Sequence, residues 1–124
     1  MILDACFVID LLADDPGAVA KLEEIDHHQL VIPTPVYVEV GLGFDPGSSE
    51  AEIFDEVMQQ VTLAPFDSEA ARRCVDLQRD LYREGRPLSA VDAMIGGQAL
   101  ARDAPIVTRN AEDFGRVPVR VSPY

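Results

Sequence analysis

Short apolar runs alternate along this chain with segments of helical spacing, and that alternation restricts it to one architectural class. Residues 1–5, 30–32, 61–63, 105–108 and 117–121 read as strands, with 61–63 at a sheet edge. Between them, residues 7–12, 18–26, 49–60, 67–83 and 89–101 read as helices, and a further helix starts after Thr34-Pro35 and ends near Gly41 or Gly43. Thr34 supplies an N-cap with proline at the first helical position, and Ser89 caps the helix that holds Asp92 in its first turn. The 67–83 helix turns Ala71, Val75 and Leu81 inward and leaves Arg72, Arg73, Arg79 and Arg83 outside. Strands alternating with helices give an α/β domain with a short, mostly parallel central sheet. At 124 residues, residues 1–124 form one domain, and no repeat, linker or low-complexity stretch divides them.

Composition removes several function classes. Hydrophobic residues make up 48% of the chain, which excludes disorder. No apolar run approaches the roughly 20 residues needed to span a bilayer, and Asp4 and Asp10 interrupt any signal-like opening. Cys6 and Cys74 are too few for a disulfide framework and read as reduced core residues of a cytosolic protein. The formal net charge is -12, and Lys21 is the only lysine beside nine arginines. That balance opposes binding to a polyanion over long range. It suits a protein from a salt-loving source, where concentrated salt screens self-repulsion; ordinary scatter in a small acidic domain is the plainer reading.

Four acids stand out against this pattern because they sit in or beside apolar segments. Asp4 follows Met1-Ile2-Leu3, Glu39 lies inside PVYVEVGLG, Asp92 inside LSAVDAMIG, and Asp113 follows Ile106-Val107 and the polar turn Thr108-Arg109-Asn110. A carboxylate in an apolar segment loses hydration and persists only if something compensates it. In open parallel sheets, functional groups gather beyond the carboxyl ends of the strands, and the first turns of helices face the same rim. All four acids can therefore point into one cleft, with Glu39 carried inward by its helix. Their mutual repulsion is on the order of a few kcal/mol per close pair at an effective dielectric near 20. A hard divalent cation, Mg2+ or Mn2+, removes that repulsion and prefers oxygen ligands.

Each acid also has a plainer role. Asp4 fits a strand-end acid capping the next helix, Glu39 fits a solvated helix face, and Asp92 fits an N3 residue below Ser89. Asp113 has Glu112 beside it, and either fits a loop acid. His27-His28 resembles a metal pair, but adjacent helical residues point about 100° apart, so solvated helix-end histidines are expected. The arginines of the 67–83 helix are expected to pair with acids of this chain. Arg109, beside the cleft, is the better candidate for contact with a substrate phosphate.

Taken together, MILDACFVIDLL, VIPTPVYVEVGLG, LSAVDAMIGGQAL and PIVTRNAEDF resemble, in the same order, the motifs of the PIN-domain nucleases, in particular the VapC-type toxins of prokaryotic toxin–antitoxin pairs. The resemblance spans essentially the whole chain. It implies a three-layer α/β/α sandwich and Mg2+- or Mn2+-dependent cleavage of RNA phosphodiesters. Asp4, Glu39, Asp92 and Asp113 would then hold metal and orient the attacking water, with Thr108 and Asn110 supporting them through hydrogen bonds. It further implies a homodimer and a small cognate antitoxin. One departure is visible: the family usually carries Thr or Ser after the first Asp, whereas Ala5 and Cys6 follow Asp4 here.

That departure and the net acidity motivate a second expectation from a non-enzyme class, a catalytically weak or inactive PIN-fold binding module. A phosphoryl-transfer enzyme with Asp4 as nucleophile fits poorly. That chemistry commonly needs a second acid two residues on, where Cys6 stands, and a lysine near the phosphate, whereas Lys21 lies on a polar helix.

Overall fold

The three central strands of this protein are too short to stand alone, and complete burial is what holds them. A computed structural model describes residues 1–124, the side chain of His28 excepted. Strand β1 is only Ile2–Leu3, β2 is Val31–Pro33 and β4 is Ile106–Thr108, and every one of these residues is buried. Runs that are apolar on both faces suit a parallel sheet covered by helices. The sheet has five strands in the order β3-β2-β1-β4-β5, with β3 (Thr62–Ala64) and β5 (Val121–Pro123) at its short edges. Every strand pairing is parallel, where a mostly parallel sheet was expected.

Helices flank the sheet: α1 (Ala5–Leu12), α2 (Pro16–Glu24), α3 (Thr34–Gly41), α4 (Ser49–Met58), α5 (Ser68–Arg83), α6 (Ala90–Arg102) and α7 (Ala111–Phe114). Local sequence signals start four of them. Asp15, Ser48, Asp67 and Ser89 accept hydrogen bonds from the amides of Ala18, Ala51, Ala70 and Asp92 at 3.0, 3.2, 2.9 and 3.2 Å. Phe7, Phe114, Ile2, Leu3, Ile32, Ile95 and Ile106 fill the main core between sheet and helices. Among the described residues, no helix is long and apolar enough to cross a membrane.

The structure corrects the sequence expectation at several points. Thr34 is the first residue of α3 and does not cap it; Pro33 holds the cap position, and the Thr34 hydroxyl accepts from the Phe66 amide at 3.1 Å. Val75 is exposed. The stripe that packs runs through Ala70, Cys74, Leu77 and Leu81, which is more apolar than the adjacent one through Ala71, Val75, Gln78 and Tyr82, and it leaves Val75 and Tyr82 in solvent. The last strand lies at Val121–Pro123 rather than 117–121, because Val117 is drawn into a second small core with Leu77, Leu81, Leu88 and Ala93. Glu39 is exposed rather than buried between valines, since α3 buries Val36 and Val40 and leaves Val38 57% exposed. The arginines of α5 pair with acids of their own helix, as expected, with Arg73 Nε donating to Glu69 Oε1 at 3.0 Å. Such exposed pairs contribute only a few tenths of a kcal/mol each. His27 lies in a 3-10 turn and its Nε2–H donates to the Leu22 carbonyl at 2.6 Å; the side chain of His28 lies outside the described residues.

Helix α6 meets α5 at unusually close range. A Cβ built on Gly97 would stand 2.5 Å from the Ala70 carbonyl oxygen and 2.9 Å from Cys74. Only a residue without a side chain fits there, and this contact fixes the depth at which α6 settles.

Candidate active site

The strand order places the site. The chain runs outward through β1, β2 and β3, then crosses back to add β4 on the other side of β1. Ligands of open α/β sheets bind at such a switch point, beyond the carboxyl ends of the strands. The residues just past β1 and at the end of β4 are Asp4 and Thr108. The pairing of Leu3 with Val107 sets them side by side, and the Thr108 hydroxyl donates to Asp4 Oδ2 at 2.7 Å.

Asp4 is 5% exposed and heavily committed. Its Oδ1 accepts from the Ala5 amide at 2.8 Å, so it caps α1 as well as facing the cleft. The Cys6 thiol donates to Oδ2 at 3.3 Å and lies 3.4 Å from Thr108 Oγ1. The sulfur therefore stands where a hydroxyl after the first Asp would act. Burial is the main influence raising the Cys6 thiol, and the Asp4 charge adds to it, so the proton stays on sulfur. Thr108 is fully buried and in turn accepts from the Asn110 amide at 2.9 Å. Replacing Thr108 with Val keeps its shape but leaves both Asp4 and the Asn110 amide short of a partner. A loss of about 1–3 kcal/mol is expected, read as a lowered denaturation midpoint with an unchanged slope.

Asp4, Glu39 and Asp92 line one pocket of about 440 Å³, together with Ala5, Cys6, Arg109 and Asn110. Helix α3 delivers Glu39 as the sixth of its eight residues, and Ser89 sets Asp92 at the third position of α6. The charges act on one another. Loss of solvation, then Asp4 and Asp92, raise the Glu39 carboxyl above its ordinary range; although Glu39 is exposed overall, its carboxyl faces the pocket. Burial, then Asp4 and to a smaller extent Asp113, raise Asp92 against the opposing bond from Ser89.

Asp113 is not among the pocket residues. It lies on α7, a short helix that the sequence expectation had as a loop, and pairs with Arg116 at 3.6 Å. Arg109 does reach the pocket, but its guanidinium is bound to Asp10 Oδ2 at 3.1 Å. Asp10 also accepts from the Tyr124 hydroxyl at 2.7 Å. Neither Asp10 nor Tyr124 figures in the sequence expectation for the site, although Asp10 carries the same signal as the others, being the one charge in ACFVIDLL.

Among the described residues, no three His, Cys, Asp or Glu side chains converge closely enough to hold a metal ion as they stand. The charge distribution nevertheless fits a hard cation. Three carboxylates share the pocket, two of them are raised by burial and then by neighbouring acids, and the one lining base is tied to a fourth carboxylate.

Comparison with known proteins follows the same lines. The PIN domain family profile matches residues 1–119. The chain is 25% identical over 118 residues to the tRNA(fMet)-specific endonuclease VapC of Shigella flexneri, covering 93% of this chain and 89% of that protein. It is 27% identical over 124 residues to the ribonuclease VapC of Rickettsia bellii, covering 95% and 90%. Among solved structures, VapBC2 from Rickettsia felis bound to a DNA fragment from its promoter superposes with a TM-score of 0.89 at 18% identity, covering 99% of this chain and 97% of that one. A toxin–antitoxin complex from Klebsiella pneumoniae superposes with a TM-score of 0.83 at 24% identity, covering 99% and 97%. At these identities the superpositions show the fold.

Proposed function

The chain belongs to the PIN-domain family, and from that premise we propose that it is a metal-dependent endoribonuclease of the VapC toxin type, hydrolysing RNA phosphodiester bonds. The observation that carries this reading is the meeting of Asp4, Glu39 and Asp92 in one pocket at the switch point of the sheet. These three carboxylates would hold Mg2+ or Mn2+, with Asp113 as an outer acid whose charge already reaches Asp92. Such a cation supplies a water acidic enough to attack at neutral pH and a counter-charge for the phosphodiester. Thr108 and Cys6 fix the rotamer of Asp4, and Asn110 holds Thr108 through its amide. Arg109 is the one base lining the pocket and is proposed to contact a substrate phosphate.

Two further parts of the proposal concern protein partners. A cognate antitoxin is the proposed protein partner, since the superposing chains come from VapBC and toxin–antitoxin complexes. A second copy of the chain is also proposed, for which exposed Ile53 on α4 and Val75 and Tyr82 on α5 offer apolar surface. The alternative, an inactive binding module, drew on Ala5 and Cys6 and on the net acidity; the contacts of the Cys6 thiol and the Thr108 hydroxyl to Asp4 weaken the first ground, because the carboxylate is held without a hydroxyl at position 5 or 6.

The test is cleavage of a panel of structured RNAs by purified protein in Mn2+, with EDTA and metal add-back as controls. Cleavage that EDTA stops and Mn2+ restores is expected; a folded protein that cuts none of them in metal supports the binding module. Without metal, binding to random RNA is expected to be weak, because the protein carries a net charge of -12. Tight metal-free retention of random RNA on a filter would contradict the role given to the cation.

A further inference from the structure

A guanidinium that lines a pocket of three carboxylates has an obvious competing place to go. Asp4, Glu39 and Asp92 together attract Arg109 more strongly than any single acid at equal range, and an arginine seated among them would neutralise the charge a cation needs. In the structure Arg109 is instead turned to Asp10, with its Nη1 at 3.1 Å from Oδ2 and 3.3 Å from Oδ1. The two side chains differ in freedom: that of Asp10 is 14% exposed and that of Arg109 is 60% exposed. Asp10 sits in α1 and its Oδ2 also accepts from the Tyr124 hydroxyl at 2.7 Å, and the Tyr124 ring packs edge-on against buried Phe7 at 5.0 Å. The acid is therefore the rigid member and the arginine the mobile one.

We propose that Asp10, braced by Tyr124, is a positioning residue that holds the Arg109 guanidinium at the rim of the carboxylate pocket and out of it, keeping the pocket open to a divalent cation. This rests on the metal-dependent reading above. It gives Asp10 a role that acts through Arg109 and needs no contact with substrate or metal. It also places Arg109 where a phosphate approaching the pocket would meet it from outside.

The test is a double-mutant cycle on Mn2+ affinity, read from the free-ion signal in electron paramagnetic resonance with no RNA present. Asp10→Asn keeps an acceptor for Tyr124 but removes the charge that restrains Arg109. By itself it weakens Mn2+ binding on any account, because a nearby negative charge is lost. The coupling is what discriminates. In the wild-type background Arg109→Gln is expected to change affinity less than about twofold, since the guanidinium is already neutralised by Asp10. In the Asp10→Asn background the same change is expected to raise affinity by roughly three- to tenfold, the scale of a part-exposed ion pair. Tyr124→Phe, which leaves every charge in place, should give a smaller coupling of the same sign, and it decides the matter if Asp10→Asn fails to fold. Equal effects of Arg109→Gln in both backgrounds would overturn the restraint while leaving the metal site intact. A wild type that binds no Mn2+ would overturn both the restraint and the function it rests on.

Discussion

Asp92→Asn is expected to abolish RNA cleavage and at the same time make the metal-free protein more stable. Losing one charged contact to a transition state commonly lowers turnover by on the order of 10²–10³-fold, and Asp92 is one of three carboxylates proposed to hold the cation. The stability gain follows from the pKa. Burial and the Asp4 charge raise the Asp92 carboxyl in the folded protein, so the folded state binds this proton more tightly than the unfolded chain. At neutral pH the ionised group therefore destabilises the fold, and that penalty fades as pH falls through its raised value. Asparagine removes the charge and keeps the backbone amide that Ser89 caps. The variant should melt above the wild type by about 4 °C for each kcal/mol recovered. The gap should narrow as pH is lowered through the range where the folded carboxyl takes up its proton. Thermal scans in EDTA from neutral to mildly acidic pH check this, and a variant that melts lower than wild type at neutral pH would show that the pocket charges are not in conflict.

The second large effect is expected far from the chemistry. Gly97→Ala places a methyl group 2.5 Å from the Ala70 carbonyl oxygen and 2.9 Å from the backbone nitrogen of Cys74. Backbone cannot yield as a flexible side-chain tip can, so α5 and α6 must separate. Overpacking of this kind costs about 1–3 kcal/mol, and a loss of roughly 10 °C in Tm is expected at the upper end. Because α6 also carries Asp92, activity should fall at temperatures where the variant is still folded. Gly41→Ala is the control: its added Cβ meets nothing within 4 Å at the end of α3, and it should be neutral or slightly stabilising. Equal melting of the two variants would mean that the α5–α6 contact does not constrain the fold.

The sequence discloses the fold well because its buried strands have to be apolar on both faces, and Ile2-Leu3, Val31-Ile32 and Ile106-Val107 can be nothing else in a chain of this pattern. A cap residue adds independent support at Ser89. Legibility fails where two local solutions compete. The stripes through Ala70 and Ala71 on α5 are offset by one residue, and Val75 reads inward only if the second is taken, whereas the first carries Leu77 and Leu81 and meets Gly97 of α6. Val117 reads as strand by composition but is claimed by a side cluster.

The site divides in the same way. Asp4, Glu39 and Asp92 announce themselves as acids in apolar segments, and the strand ends bring them together. Asp113 carries the same local signal, yet α7 turns it toward Arg116. The pairing of Asp10 with Arg109 and Tyr124 joins residues about a hundred positions apart, which no local pattern encodes.

The most direct measurement is anomalous diffraction from crystals soaked in Mn2+, collected near the manganese edge. A peak in the pocket between Asp4, Glu39 and Asp92, absent from Asp92→Asn crystals soaked in the same way, is the result this account predicts. A fully soaked crystal with no peak there, or with manganese bound only at other acids of the surface, would contradict it.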